Sequence, residues 1–229
     1  MSAAVTVKPG VLYFPGYFDD AKQAALIREI DNNANELGWF QPVMPRWGTP
    51  FSVRMMNFGT LGWVSDKSGY RYQAMHPENG RPWPPIPAIL LDLWRTKLRC
   101  SDTKQGRSDT LEGRYDKNSS RHCEPEACLV NYYGPKAKMG LHQDRDEEDM
   151  TAPVMSVSLG DTALFRIGTD DRNGPTQSLK LHSGDVLIFG GPARLAFHGI
   201  DRIYPGTSRL LPEGGRINLT LRRVTRPTA

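Results

Sequence analysis

His142 and Asp144 stand in the run Leu141-His142-Gln143-Asp144, and His198 follows 54 residues after the aspartate, in Ala196-Phe197-His198-Gly199-Ile200. On a strand the side-chain period is two, so an H-x-D pair presents its imidazole and carboxylate on one face. Two histidines and one carboxylate fill three positions of an octahedron and leave three open. That is the ligand set of non-haem Fe(II) oxygenases. H-x-D pairs also arise by chance and a lone histidine is usually structural, so the weight of the triad rests on what accompanies it.

The end of the chain supplies that company. In Gly215-Arg216-Ile217-Asn218-Leu219-Thr220-Leu221-Arg222 the apolar residues Ile217, Leu219 and Leu221 alternate with Arg216, Asn218, Thr220 and Arg222, the pattern of a strand with one apolar and one polar face. Six strand steps separate the two arginine Cα atoms by about 20 Å. A dicarboxylate lying along such a strand could meet a guanidinium at each end, and the planar fork of arginine binds carboxylates bidentately. Two arginines facing a core without anions would be costly. The competing reading is an edge strand whose polar side faces water.

These groups need elements to hold them. The chain has 229 residues, 38% hydrophobic and 24% charged, which excludes disorder throughout. It contains no run of about 18 apolar residues, so no transmembrane helix is expected. Residues 1–9 show no charged segment followed by an apolar one, so no secretory leader is expected. Three cysteines, Cys100, Cys123 and Cys128, are too few for a disulfide scaffold and fit a reducing cytosol, so a cytoplasmic location is expected. The net charge is +4, and residues 201–229, with six arginines against Asp201 and Glu213, carry all of it. A solvated basic tail accounts for this, and a polyanionic partner is the alternative.

Helical spacing of Leu26, Ile27, Ile30, Ala34 and Leu37 predicts a helix over 18–37, capped by Asp19 or Asp20. A second is predicted over 87–99, with Pro87 in its first turn. Residues 101–122 are polar and charged and read as a long exposed loop. From Cys128 onward, short β-like runs at 129–133, 155–159, 163–167, 179–181, 186–189 and 216–224 alternate with turn signals such as Gly134-Pro135 and Ser183-Gly184-Asp185. Helices first and then an antiparallel sandwich or barrel is the expected order. No glycine-rich phosphate loop follows a strand, so Rossmann and P-loop readings have no support.

Taken together, Asn131-Tyr132-Tyr133, the stretch from Leu141 to Glu147, Ser156-Val157-Ser158-Leu159-Gly160, Ser183-Gly184-Asp185-Val186, Phe197-His198-Gly199-Ile200 and the R-x-N-x-T-x-R of 216–222 closely resemble the AlkB family of Fe(II)- and 2-oxoglutarate-dependent dioxygenases. A weaker match runs upstream through Asn57 and Leu61-Gly62-Trp63 to Gly69-Tyr70-Arg71-Tyr72.

The resemblance implies an α+β fold: a double-stranded β-helix, or jelly roll, over 128–224, with N-terminal supporting helices and a nucleotide-recognition lid over about 45–85, all in one domain. It implies Fe(II) on His142, Asp144 and His198, and 2-oxoglutarate and O2 as co-substrates. Arg216 and Arg222 match positions that pair with the two carboxylates of 2-oxoglutarate. Asn131, Tyr133 and Asn218 match positions that hydrogen-bond it. Tyr132 stands where the family has arginine and carries less weight. Trp63 matches an aromatic that stacks on the damaged base. Tyr70, Arg71 and Tyr72 match a segment touching nucleic acid, Asp146 a carboxylate near the base, and Arg172 a substrate contact. Met55 and Met56 would be adaptable fillers beside varied bases. Glu147, Glu148 and Asp149 read as a solvated acidic turn.

The implied activity is oxidative demethylation, the direct reversal of alkylation damage, on bases such as 1-methyladenine and 3-methylcytosine. The partner is single-stranded DNA, with RNA or duplex DNA carrying a flipped base as variants, and the products are succinate, CO2 and formaldehyde. No membrane or protein partner is implied, and a monomer is expected. The alternatives are the same iron core acting on RNA, protein or lipid, and a non-catalytic jelly roll that binds nucleic acid. The 101–122 stretch is longer than the bacterial members of the family lead one to expect.

Overall fold

The computed structural model describes residues 3–98 and 124–226. The polar 101–122 stretch, Cys100 and Cys123 lie outside the described residues.

Two short strands, β1 (Val5–Lys8) and β2 (Val11–Phe14), precede helix α1 (Asp20–Leu37). Strands β3 (Val53–Gly59), β4 (Gly62–Asp66) and β5 (Gly69–Gln73) lead to helix α2 (Ala88–Leu98). The remaining strands are β6 (Ala127–Tyr133), β7 (Met139–His142), β8 (Val154–Gly160), β9 (Thr162–Ile167), β10 (Gln177–Leu181), β11 (Val186–Phe189), β12 (His198–Tyr204) and β13 (Arg216–Arg222). Asp19 caps α1 by accepting from the Lys22 amide at 2.9 Å, which satisfies one of the free N–H groups of the first turn.

The strands form two antiparallel sheets and a hairpin. The large sheet runs β1-β2-β11-β8-β13-β6-β3, the small sheet β10-β9-β12-β7, and β4-β5 stands by itself. One apolar cluster lies between the two sheets and includes Val53, Leu129, Leu187, Phe165 and Ile200. A second joins α1 and α2 to the outer face of the large sheet through Leu26, Ile30, Leu90 and Trp94, which meet Val157, Ile217, Leu219 and Leu221. This is the jelly roll with supporting helices.

The layering explains why β13 alternates although it is central. Its apolar face meets the helices. Its other face, with Arg216, Asn218, Thr220 and Arg222, turns between the sheets, and all seven residues are buried. A solvent-facing edge strand is therefore excluded.

Three expectations need correcting. The order is not helices first, because β1, β2 and β3 all join the large sheet. They are short or carry unbranched methionine, which weakens a β signal. Met55 and Met56 both sit on β3 and are buried, one in each cluster. Met56 faces the helices, away from any base, while Met55 lies opposite Asn131 on the inner face. The basic C-terminal end is not a free tail either: Arg216, Arg222 and Arg223 are buried, and Arg223 pairs with Glu126 at 3.4 Å.

Candidate metal centre and its lid

The two histidines meet by strand register. His198 opens β12 and His142 ends β7, and the two are direct partners across the antiparallel ladder. Their rings lie 4.5 Å apart between centroids. Close strand approach is helped by Gly199, where an added Cβ would stand 2.5 Å from the Met139 carbonyl oxygen. Asp144 belongs to no strand: β7 stops at His142, so the strand reading of H-x-D does not hold for its second member. The carboxylate nevertheless comes back to the pair. Its Oδ1 is 3.6 Å from His142 Nε2 and its Oδ2 is 3.6 Å from His198 Nε2, and one ligand atom from each residue fits within 4.8 Å of the others.

Both Nδ1 atoms face backbone carbonyls, His142 toward Gly140 at 3.0 Å and His198 toward Ala196 at 2.9 Å. Donation there leaves the Nε2 lone pairs pointing at the centre, the way a hydrogen-bond partner orients a metal ligand. Burial pushes the His198 imidazole down to about 4, so it is neutral and free to bind a cation at pH 7. Burial alone would raise the Asp144 carboxyl, but Arg222 above all, with His198, His142 and Arg194, holds it well below the ordinary carboxylate range. Asp144 Oδ2 is buried with no hydrogen-bond donor. An anionic oxygen kept dry without a donor, beside two aimed imidazoles, fits a metal ion.

Across from this cluster lies the polar face of β13. Arg222 binds Asp144 at 2.7 Å and Glu147 at 2.8 Å. Toward the other end of the strand, Arg216 donates to Ser158 Oγ at 3.0 Å and lies 5.3 Å over the Tyr133 ring. Its Nε and Nη1 have no acceptor, and among the described residues it forms no ion pair. A buried guanidinium with unspent donors calls for an anion. Asn131 pairs with Asn218 in register and so shares the inner face; its Oδ1 is also unpartnered. Tyr133 and Asn218 lie on that face too. Tyr132 does not. It is opposite Ile217 on the helix side, near Trp39 and under the Arg54 guanidinium. The expectation that Tyr132 contacts 2-oxoglutarate is set aside on strand parity.

Two residues outside the expected site, Glu147 and Arg194, complete the centre. Glu147 belongs by sequence to a solvated acidic turn, yet it is fully buried and accepts from Tyr72 at 2.5 Å, Arg222 at 2.8 Å and Arg194 at 3.0 Å. Asp149 is buried as well and binds the Thr151 amide at 3.0 Å; Glu148 is exposed as expected. Arg194, also buried, ties the loop from Asp144 to Ala152 together by donating to both of their carbonyls at 2.6 and 2.8 Å. The one signal for it was an arginine set in the otherwise apolar Pro192-Ala193-Arg194-Leu195-Ala196.

The β4-β5 hairpin brings aromatic residues to the same loop. Asn57 of β3 acts as a side-chain rung: its Oδ1 accepts from the Trp63 amide at 3.2 Å and its Nδ2 donates to the Trp63 carbonyl at 3.1 Å. Trp63 Nε1 donates to Asp146 at 2.8 Å. The indole stacks on Tyr70 at 5.6 Å and 17° and on Phe51 at 6.2 Å and 30°. Tyr72 Oη donates to Glu147 and accepts from Arg222 at 3.0 Å. Arg71 faces the other side and is spent on Asp66 at 2.8 Å. Arg172 donates to the Leu141 carbonyl at 2.9 Å and covers Phe197 at 5.6 Å, so it flanks the residues just before both histidines.

A jelly roll that holds two histidines and a carboxylate opposite a buried, anion-seeking arginine defines a non-haem Fe(II), 2-oxoglutarate-dependent oxygenase. The chain belongs to the 2OG-Fe(II) oxygenase superfamily, whose model matches residues 10–222, and within it to the AlkB family. It is 51% identical to an alpha-ketoglutarate-dependent dioxygenase AlkB homolog of Caulobacter vibrioides, over 96% of this chain and 90% of the relative. It is 39% identical to alpha-ketoglutarate-dependent dioxygenase AlkB of Escherichia coli, over 90% and 86%. The DNA N(6)-methyladenine demethylase ALKBH1C of Arabidopsis thaliana is 30% identical over 96% of this chain and 50% of its own length. A solved structure of OsALKBH1 superposes with a TM-score of 0.77 at 32% identity, covering 96% of this chain and all of that one. The protein is an enzyme that uses Fe(II), 2-oxoglutarate and O2. Among the described residues no helix is long and apolar enough to cross a membrane.

Proposed function

We propose that this enzyme removes methyl groups from N-alkylated bases, such as 1-methyladenine and 3-methylcytosine, in single-stranded DNA, and also in RNA or in duplex DNA with the base flipped out. The observation that carries the reading is the hydrogen bond from Trp63 to Asp146, which sets a stacking surface two residues from the metal-side carboxylate. The name of the Arabidopsis relative supports nucleic acid as the substrate class.

In this reading His142, Asp144 and His198 hold Fe(II). Arg216 and Arg222 pair with the carboxylates of 2-oxoglutarate, and Asn131, Tyr133 and Asn218 hydrogen-bond it. Bound Fe(II) and 2-oxoglutarate supply, with O2, the oxidising power that hydroxylates the N-methyl group, with succinate, CO2 and formaldehyde as products. The protein's own task is placement. The Gly140 and Ala196 carbonyls keep both Nε2 atoms aimed. Arg194 fixes the loop that carries Asp144, and Glu147 restrains Arg222. The target base must leave its stack to reach the centre. It stacks on Trp63 in place of Tyr70, the half-exposed partner of that indole, while Asp146 faces the polar edge of the base. Arg172 meets the strand, and Arg71 braces the hairpin through Asp66. The chain acts as one domain, its lid over about 45–85 and its catalytic core over 128–224, as a cytoplasmic monomer.

The test is mass spectrometry of a short single-stranded oligonucleotide with one 1-methyladenine, incubated with Fe(II), ascorbate, O2 and 2-oxoglutarate, with succinate quantified in parallel. Loss of the methyl group coupled to succinate is the expected result. Succinate with an unchanged oligonucleotide would keep the oxygenase and overturn the substrate.

A further inference from the structure

Trp47 is 69% exposed, the highest value among the exposed large hydrophobic side chains of the described residues, and it belongs to neither apolar cluster. An indole this open gains nothing from the core. It is not on a loose tip. Met44 donates to the Thr49 carbonyl at 2.8 Å and Gly48 donates to the Met44 carbonyl at 2.7 Å. Gly48 has φ +64°, a left-handed turn position that suits glycine. The loop is bonded to the β4-β5 hairpin: Val43 donates to the Ser65 carbonyl at 3.1 Å, and Ser65 Oγ donates back to the Val43 carbonyl at 2.6 Å. At its far end Phe51 stacks on Trp63. One cation covers the indole and a second stands against its loop. The Arg46 guanidinium covers one face at 4.6 Å. Lys67, in the β4-β5 turn, lies against the neighbouring Gly48, its Cε 3.7 Å from where a Cβ would be.

We propose that Arg46, Trp47 and Lys67 form a second nucleotide site on the lid, which stacks a base flanking the target and neutralises its phosphate. The inference rests on the nucleic-acid reading above and adds a residue set outside the metal centre. The chemistry favours a nucleotide over an apolar protein surface, because an exposed aromatic ring under a guanidinium, on a loop that also meets a lysine, combines the stacking and the positive charge by which single strands are gripped without sequence preference. Continuity with Phe51 and Trp63 puts this site on the same aromatic edge as the proposed base platform.

The test is fluorescence anisotropy with a labelled 12-nucleotide single strand carrying one 1-methyladenine, on wild type, Trp47→Ala, Trp47→Phe and the Arg46→Gln/Lys67→Gln double variant. Trp47→Ala is expected to weaken binding about tenfold, as for loss of one stacked base, and Trp47→Phe to stay within about threefold of wild type. The double variant is expected to flatten the slope of log affinity against log salt by about 0.7 for each phosphate it no longer neutralises. Succinate formation without nucleic acid, which does not involve these residues, reports folding. Wild-type affinity in Trp47→Ala overturns the proposal. Should Trp47→Ala not fold, an unchanged salt slope in the double variant overturns it instead. A wild-type protein that binds no oligonucleotide sinks this site together with the nucleic-acid reading, whereas wild-type binding with indifferent variants sinks this site alone.

Discussion

Asp144, Glu147, Arg194 and Arg222 are buried and bonded to one another, while the β4-β5 hairpin keeps Tyr70 and Lys67 at the surface and reaches the metal-side loop through side-chain hydrogen bonds, Trp63 to Asp146 and Tyr72 to Glu147. In the first region, burial makes each charge depend on its partner. In the second, Phe51, Trp63 and Tyr70 stack near the surface. In the proposed reading the difference separates two jobs: holding cofactor and co-substrate in one geometry, and admitting a substrate that must come and go.

Substitutions sharpen or break this contrast. Glu147→Ala should have the largest effect, since it strips a buried carboxylate from two arginines. A loss of about 3–5 kcal/mol is expected, read from urea unfolding; a loss below about 1 kcal/mol would mean that the network does not hold the core. Arg216→Ala comes next. In the proposed reading its fork meets a carboxylate of 2-oxoglutarate, so its removal should weaken 2-oxoglutarate binding by about 3 kcal/mol, roughly a hundredfold, in calorimetry on the metal-loaded protein. An affinity within threefold of wild type would place the dicarboxylate elsewhere. Tyr72→Phe should do least. It removes the hydroxyl that donates to Glu147 and accepts from Arg222, two hydrogen bonds between lid and core worth about 1 kcal/mol each, and should raise the KM for the oligonucleotide severalfold with a smaller change in succinate formation without nucleic acid. Equal losses in both would show that Tyr72 belongs to the rigid region instead.

Legibility follows the same division. The alternation of 216–222 is readable because strand period and burial coincide there, and six of the eight strands from β6 onward and both helices lie within a few residues of where the pattern puts them, while β7 and β12, which carry His142 and His198, are missing from the predicted runs. Parity also decides Tyr132, whose neighbours Asn131 and Tyr133 face inward. Glu147 was not readable. Its partners are Tyr72, Arg194 and Arg222, each 47 or more residues away, and a run of acids in sequence gives no sign that alternate members turn inward. Asp144 reached the right place for a reason other than the one expected: loop anchoring by Arg194 brings it back to the histidines, not strand periodicity.

In the proposed reading His142, Asp144 and His198 hold Fe(II) beside a 2-oxoglutarate seated on β13. Anaerobic titration of the protein with Fe(II) and 2-oxoglutarate, followed by visible charge-transfer absorption, tests it directly. The wild type should develop the band, and His142→Ala, shown to be folded by circular dichroism, should not and should lose demethylation with it. A folded His142→Ala protein with the wild-type band would contradict the account.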